Sequence, residues 1–182
     1  SWSQKLTVLL GYRNGDTKKF PVHLSSSNAT VEGAAGLKAP DYILANGEGV
    51  GYGFFVPDPD SKVFLQRDLP TIQDARLRGI AWVTLWDLML EADLAPREFL
   101  NLAIRALKKE KEELNIHRVL EFVKTMYWRF LSAKERDLLA DDLRPAGQGH
   151  RQEQLVDLQL LGDRTFHAQF DQVLSIIDGD EV

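Results

Sequence analysis

The chain contains no cysteine, and that absence excludes disulfide frameworks, thiolate zinc sites and cysteine nucleophiles together. It fixes no redox compartment, so localisation stays unknown from the sequence. Positive charge is also short, with 22 Lys and Arg against 27 Asp and Glu and a net charge of −5. No global field draws such a chain to polyanions, and neither nucleic acid nor a membrane is an expected partner. No apolar run is long enough to span a bilayer. Histidine is sparse: His23, His117, His150 and His167 include no pair at the helical spacing zinc requires, and no H-E-x-x-H occurs. No G-x-S-x-G elbow is present either. The expected catalytic, cofactor-binding and metal-ligating residues of this chain are therefore none.

What is present is a globular composition, 44% hydrophobic over 182 residues, enough for one good-sized core or two small domains. Leu6, Val8 and Leu10 alternate with polar or outward positions, Asn14-Gly15 favours a tight two-residue turn, and Phe20, Val22 and Leu24 resume the alternation, which predicts a β-hairpin. The Asn-Gly pair returns at Asn46-Gly47 inside Asp41 to Val56 (DYILANGEGVGYGFFV), read as a second, Gly-rich hairpin. Between them the small, polar stretch Ser25 to Ala39 is loop, with a short strand expected around Ala29 to Glu32. So small a sheet needs a second layer, either the helices or a partner sheet.

Beyond Pro57, Pro59 and Pro70 the period turns helical. Leu77, Ile80, Ala81, Thr84, Leu85 and Leu88, widened by Trp82, Trp86 and Met89, predict a helix over Thr71 to Ala92 that is buried on more than one side. Pro96 opens a second helix, and Ile116 to Phe130 carries a third. Ser132 with Glu135 has capping-box spacing for a fourth, and a fifth (Gln152 to Leu161) and a sixth (Phe166 to Ile177) follow. Hairpins beginning near Ile72, Leu114 and Gln152 have the spacing of helical-repeat arrays, on the order of 40 residues. The expected organisation is α+β: an antiparallel β domain over residues 1–60, then a helical-repeat domain over 61–182. The opening Ser1-Trp2-Ser3 and the uncapped apolar last helix read as cut boundaries.

Gly47, Gly49, Gly51 and Gly53 recur every second residue, which in an extended strand puts them on one face and Glu48, Val50, Tyr52 and Phe54 on the other. A kinase-type phosphate loop does not fit, because Phe54 holds the place of its third glycine and no H-R-D or D-F-G follows. Close approach of another chain segment to the glycines, with Tyr52 and Phe54 packing opposite, is the expected arrangement. Trp82 and Trp86 read as core, Lys108 to Glu113 as a solvated mixed-charge segment, and Asp74, Asp87, Glu91 and Asp93 as caps and outer-face acids.

Leu44-Ala45-Asn46 with Gly51-Tyr52-Gly53 resembles the L-x-N-x-x-x-x-G-Y-[YG] signature of the last β-hairpin in the domain that follows the catalytic domain of zinc aminopeptidases related to aminopeptidase N. Arg76 to Leu90 and Leu94 to Leu100 resemble the first helices of that family's C-terminal helical domain, and Val173 to Gly179 (VLSIIDG) is similar to its L-x-x-L-L-D-G helix ends. The resemblance implies the end of a β-sandwich and the start of an α-superhelix that helps enclose the catalytic cavity. Its implied partners are the catalytic domain of the same polypeptide and the peptides the parent enzyme trims. The family's zinc motif and its G-x-M-E-N loop are both absent, so zinc is implied for the parent only. A self-contained β-plus-helical-repeat scaffold that binds a protein partner stays open as the alternative.

Overall fold

The computed structural model describes residues 3–135. The expected fourth helix beyond Glu135, the fifth and sixth helices, and His150 and His167 lie outside the described residues. The fold is α+β: a three-stranded antiparallel sheet followed by helices. The chain divides into two compact units, Ser1–Leu102 and Ala103–Val182.

In the first unit, β1 (Gln4–Gly11) pairs with β2 (Thr17–Leu24), the hairpin that the alternation predicts, in the register Gln4↔Leu24 to Gly11↔Thr17. Leu9, an outward position in that alternation, is nevertheless fully buried, because the far face of β1 is covered too. The connection is longer than a two-residue turn. The Gly15 N–H donates to the Tyr12 carbonyl at 2.9 Å, the Tyr12 N–H donates to the Asp16 carbonyl at 3.0 Å, and Gly15 alone takes positive φ, +93°. That is a type I turn closed by a left-handed glycine, the three-residue alternative to the primed turns. Pro21, which lacks an N–H, sits on β2 at the sheet edge, where no ladder bond is lost.

β3 (Tyr42–Leu44) pairs with the other side of β1, giving the order β2-β1-β3. It is three residues long and has no returning strand: residues 45–48 are turn and 49–58 are irregular. The second hairpin is thus replaced by a single strand and a wrapped loop, and no strand forms at Ala29 to Glu32. The glycines explain the wrapped loop. A Cβ on Gly47 would lie 2.5 Å from Leu9 Cβ and 3.1 Å from the Thr7 carbonyl, and one on Gly51 would lie 2.4 Å from Leu6 Cδ2. The Gly47 N–H donates to Thr7 at 2.7 Å, extending the β1 ladder one bond past β3. Close approach is therefore met at Gly47 and Gly51, but against β1 and not across a strand face. Tyr52 and Phe54 do not pack opposite the glycines; they are 80% and 46% exposed, with Val50 and Val56 also exposed.

Helix α1 (Pro59–Asp68) lies where the prolines suggested only a crossing, and a 3₁₀ turn (Leu69–Thr71) leads into α2 (Ala75–Leu90), shorter than the Thr71 to Ala92 expected. Asp58 and Asp74 cap the two helices. Asp58 accepts from the Ser61 N–H at 3.0 Å, and Asp74 from Arg76 and Leu77 at 2.8 and 3.2 Å. Leu77, Ala81, Trp82, Leu85, Leu88 and Met89 are all buried, so α2 is enclosed on more than one side, as its wide stripe predicts. The helix ends where Ala92 turns left-handed (φ 62°) and the Asp93 N–H reaches back to the Leu88 carbonyl at 2.8 Å. α3 (Pro96–Leu107) starts on Pro96 and brings Phe99 edge-on to both Trp82 and Trp86, at 5.6 Å in each case.

In the second unit, α4 (Glu113–Phe130) buries Asn115, Val119, Leu120, Val123, Met126 and Tyr127. Glu110 accepts from the Lys111 and Glu112 N–H groups, both at 3.0 Å, and from the Asn115 side chain at 3.3 Å. The mixed-charge segment is thereby a helix-start device. The Ser132–Glu135 capping box forms in both directions: Ser132 N–H to Glu135 Oε2 at 2.8 Å, and Glu135 N–H to Ser132 Oγ at 3.3 Å.

Candidate functional site

Among the described residues, polar side chains converge where the β1–β2 turn meets α1. Arg13, in the turn, donates its backbone N–H to Asp41 at 2.9 Å and its Nε to the same carboxylate at 3.2 Å. Its terminal nitrogen reaches Asp68, the last residue of α1, at 2.7 Å, and its guanidinium stands 4.9 Å from the Phe64 ring centre. Arg67 also binds Asp68, at 3.0 and 3.1 Å. These bonds, Arg67's first and then Arg13's, hold the Asp68 carboxyl below its ordinary range against an opposing push from burial.

Beneath this network the Tyr42 ring stacks on Phe64, centroids 4.8 Å apart, in space left by Gly11. Burial, then the negative charge of Asp74, pushes the Tyr42 hydroxyl up to about 12. Tyr12, Arg13, Tyr42, Phe64, Gln73 and Asp74 line a shallow recess of about 20 Å³, far below the size of a ligand pocket.

A second polar relay covers the sheet edge. The outward N–H of Ile43 on β3 donates to Ser61 Oγ at 2.7 Å, and the Ser61 hydroxyl donates to Asp58. Burial raises the Asp58 carboxyl, and the bonds from Ser61's side chain and the backbone outweigh it, leaving a net lowering. A serine on a carboxylate has the look of an activated nucleophile. Here its oxygen already accepts from Ile43 and the residue is 2% exposed, so the pair serves as an edge cover and a helix cap.

The residues weighed in the sequence do not converge. His23 is exposed on β2 and His117 is exposed on α4. Asp74 caps α2, as read. Asp87 is half-buried, and burial and then Glu91 raise its carboxyl. Trp82 is fully buried, as a core residue should be, although its Nε1 has no hydrogen-bond partner among the described residues. No group of three or more His, Asp or Glu among the described residues is arranged to hold a metal ion, and no described helix is long and apolar enough to cross a membrane. Sequence reasoning missed the Arg13 and Ser61 networks. Asp58-Pro59, an N-cap followed by proline at the first helical position, was the signal for α1 and hence for both.

No protein-family profile matches the chain. It is similar to a protein named aminopeptidase N from Streptomyces lividans, 24% identical over 154 residues, which covers 80% of this chain and 18% of that protein. The chain thus spans less than a fifth of the length of the curated relative it matches.

Proposed function

We propose that this chain is a non-catalytic part of a zinc-dependent aminopeptidase, comprising the end of a β-sandwich domain and the first hairpins of a helical array. The observation that carries the reading is the extent of the match. Covering 80% of the chain, it crosses the junction between sheet and helices wherever it begins, and so spans most of the segments in which the family resemblance was read. The geometry supports a structural role: the Arg13 and Ser61 networks commit their polar groups to joining β1, β3 and α1. The part played in the parent enzyme is enclosure of the catalytic cavity, so that access falls to short, flexible peptides. Its partners are the catalytic domain of the same polypeptide and those peptides, with zinc held by the catalytic domain.

The test is activity by piece. The isolated chain is expected to leave aminoacyl-arylamides uncleaved with or without added zinc, while the whole gene product cleaves them and loses that activity to a chelator. Zinc-dependent turnover by the isolated chain would falsify the proposal. A gene product without a zinc motif would do the same and would favour the protein-binding scaffold.

A further inference from the structure

The two Asn-Gly dipeptides are the pairs in which spontaneous deamidation is chemically easiest, because glycine leaves the following amide nitrogen unshielded. We infer that Asn14 is a deamidation site of the folded protein and that Asn46 is protected. In the reaction the Gly15 nitrogen attacks Asn14 Cγ, the new C–N bond closes a succinimide ring, and the side-chain nitrogen leaves as ammonia, carrying the proton from Gly15. One water then opens the ring at either carbonyl, giving aspartate or isoaspartate. No oxidant, reductant or further co-reactant is required.

Both sites carry hydrogen bonds that must open before the ring can close, and the surroundings of those bonds decide the outcome. At the first site, Asn14 Nδ2 donates to Asp16 Oδ2 at 2.7 Å, Asn14 Oδ1 accepts from the Asp16 N–H at 3.1 Å, and the Gly15 N–H donates to Tyr12 at 2.9 Å. Asn14, Gly15 and Asp16 are all exposed, so water replaces each bond as it opens and the net cost is small. At the second site, Asn46 Nδ2 donates to the Gly51 carbonyl at 3.1 Å, Asn46 Oδ1 accepts from the Gly51 N–H at 2.8 Å, and the Gly47 N–H donates to Thr7 at 2.7 Å. Gly47 is buried and Asn46 half-buried, and the space Gly47 would sweep is held by Leu9 and the Thr7 carbonyl. Opening there strands polar groups away from water. The product at position 14 adds negative charge beside Asp16 and, in the iso form, lengthens the main chain next to Arg13. It therefore strikes the turn that carries Arg13 and its bonds to Asp41 and Asp68.

The folded chain is incubated at mildly alkaline pH and cut after lysine, which places the two asparagines on separate peptides, 6–18 and 39–62. Mass spectrometry and an isoaspartate assay then follow each peptide. The expected result is amide loss in peptide 6–18 faster by on the order of tenfold or more than in 39–62, with the two rates converging when the incubation is run in concentrated urea. Equal rates in the folded chain, a faster 39–62, or no loss from 6–18 would each overturn the assignment. So would a gap between the peptides that persists in urea, since the difference would then be local sequence and not fold.

Discussion

The turn at Asn14-Gly15 and the turn at Asn46-Gly47 contain the same dipeptide and serve the same strand, β1, yet one stands in solvent and the other is folded back against the sheet. The first takes its shape from within: one left-handed glycine closes a hairpin, and the neighbouring Arg13 is left to reach Asp41 and Asp68. The second takes its shape from outside. Gly47 and Gly51 lie where Leu9 and Leu6 leave no room for a Cβ, and the chain wraps where alternation alone would have continued a strand. A turn dipeptide thus specifies a change of direction, and what the chain packs on specifies the rest.

The largest effect expected from this difference is steric. Gly47→Ala puts a methyl group 2.5 Å from Leu9 Cβ and within 3.1 and 3.2 Å of β1 backbone atoms, which cannot swing aside. A loss of about 3 kcal/mol is expected, the upper part of the range for overpacked sites. Gly15→Ala is strained by its φ of +93° and meets the Gln73 side chain at 2.6 Å, whose flexible end can move. About 1 kcal/mol is expected there, the ordinary cost of a left-handed alanine. Urea melts of the two variants measure the gap. If Gly15→Ala proves the costlier, the wrapped turn is not held by close packing on β1.

The same contrast marks how far the sequence could be read. Period-two alternation found β1 and β2 as a hairpin, though not its register, and the broad stripe of α2 found a helix enclosed on several sides, because both signals come from burial repeated over many residues. β3 was legible only as part of a longer hairpin: three residues carry too little periodicity, and exposed Val50, Tyr52 and Phe54 imitate a strand that the glycine contacts prevent. α1 shows no clear apolar stripe, with Ser61, Phe64 and Leu65 buried, and its three prolines nearby drew attention to breaking when Pro59 was starting a helix. The Arg13 network was legible only as far as Asp58-Pro59 signals α1; the ion pair itself left no mark, since Arg13 and Asp68 stand 55 residues apart.

The next effect tests the covered edge. Ser61→Ala removes the acceptor of the Ile43 N–H and the hydroxyl donor to Asp58, while leaving the backbone cap from Ser61 N–H to Asp58 in place. Stranding a part-buried N–H is expected to cost about 2 kcal/mol. Hydrogen exchange at Ile43 reads the mechanism directly: the amide should exchange much faster in the variant, while the amides of β2 slow or hold. An unchanged Ile43 amide would mean that α1 does not close that edge.

The smallest effect separates the Arg13 turn from the packing beneath it by pH. Tyr42, under the Gly11 end of β1, has its hydroxyl raised from an ordinary 10 to about 12, so the fold prefers the neutral phenol. A raised value gives stability that is fully present below pH 10 and is lost as pH climbs toward 12, by about 1 kcal/mol at pH 11. Asp68, held by Arg67 and Arg13, is lowered, so its contribution is present above the ordinary carboxylate value and is lost as pH falls through the lowered one. The acid limb therefore reports the Arg13 turn, and the alkaline limb reports the packing beneath it. Tyr42→Phe keeps the ring on Phe64 and should flatten the alkaline limb alone, whereas Arg13→Gln should weaken the acid limb and its salt dependence. Urea midpoints taken across the pH range measure both. If Tyr42→Phe leaves the alkaline loss at its original size, the buried hydroxyl is not its source, and the two regions are not separable by titration.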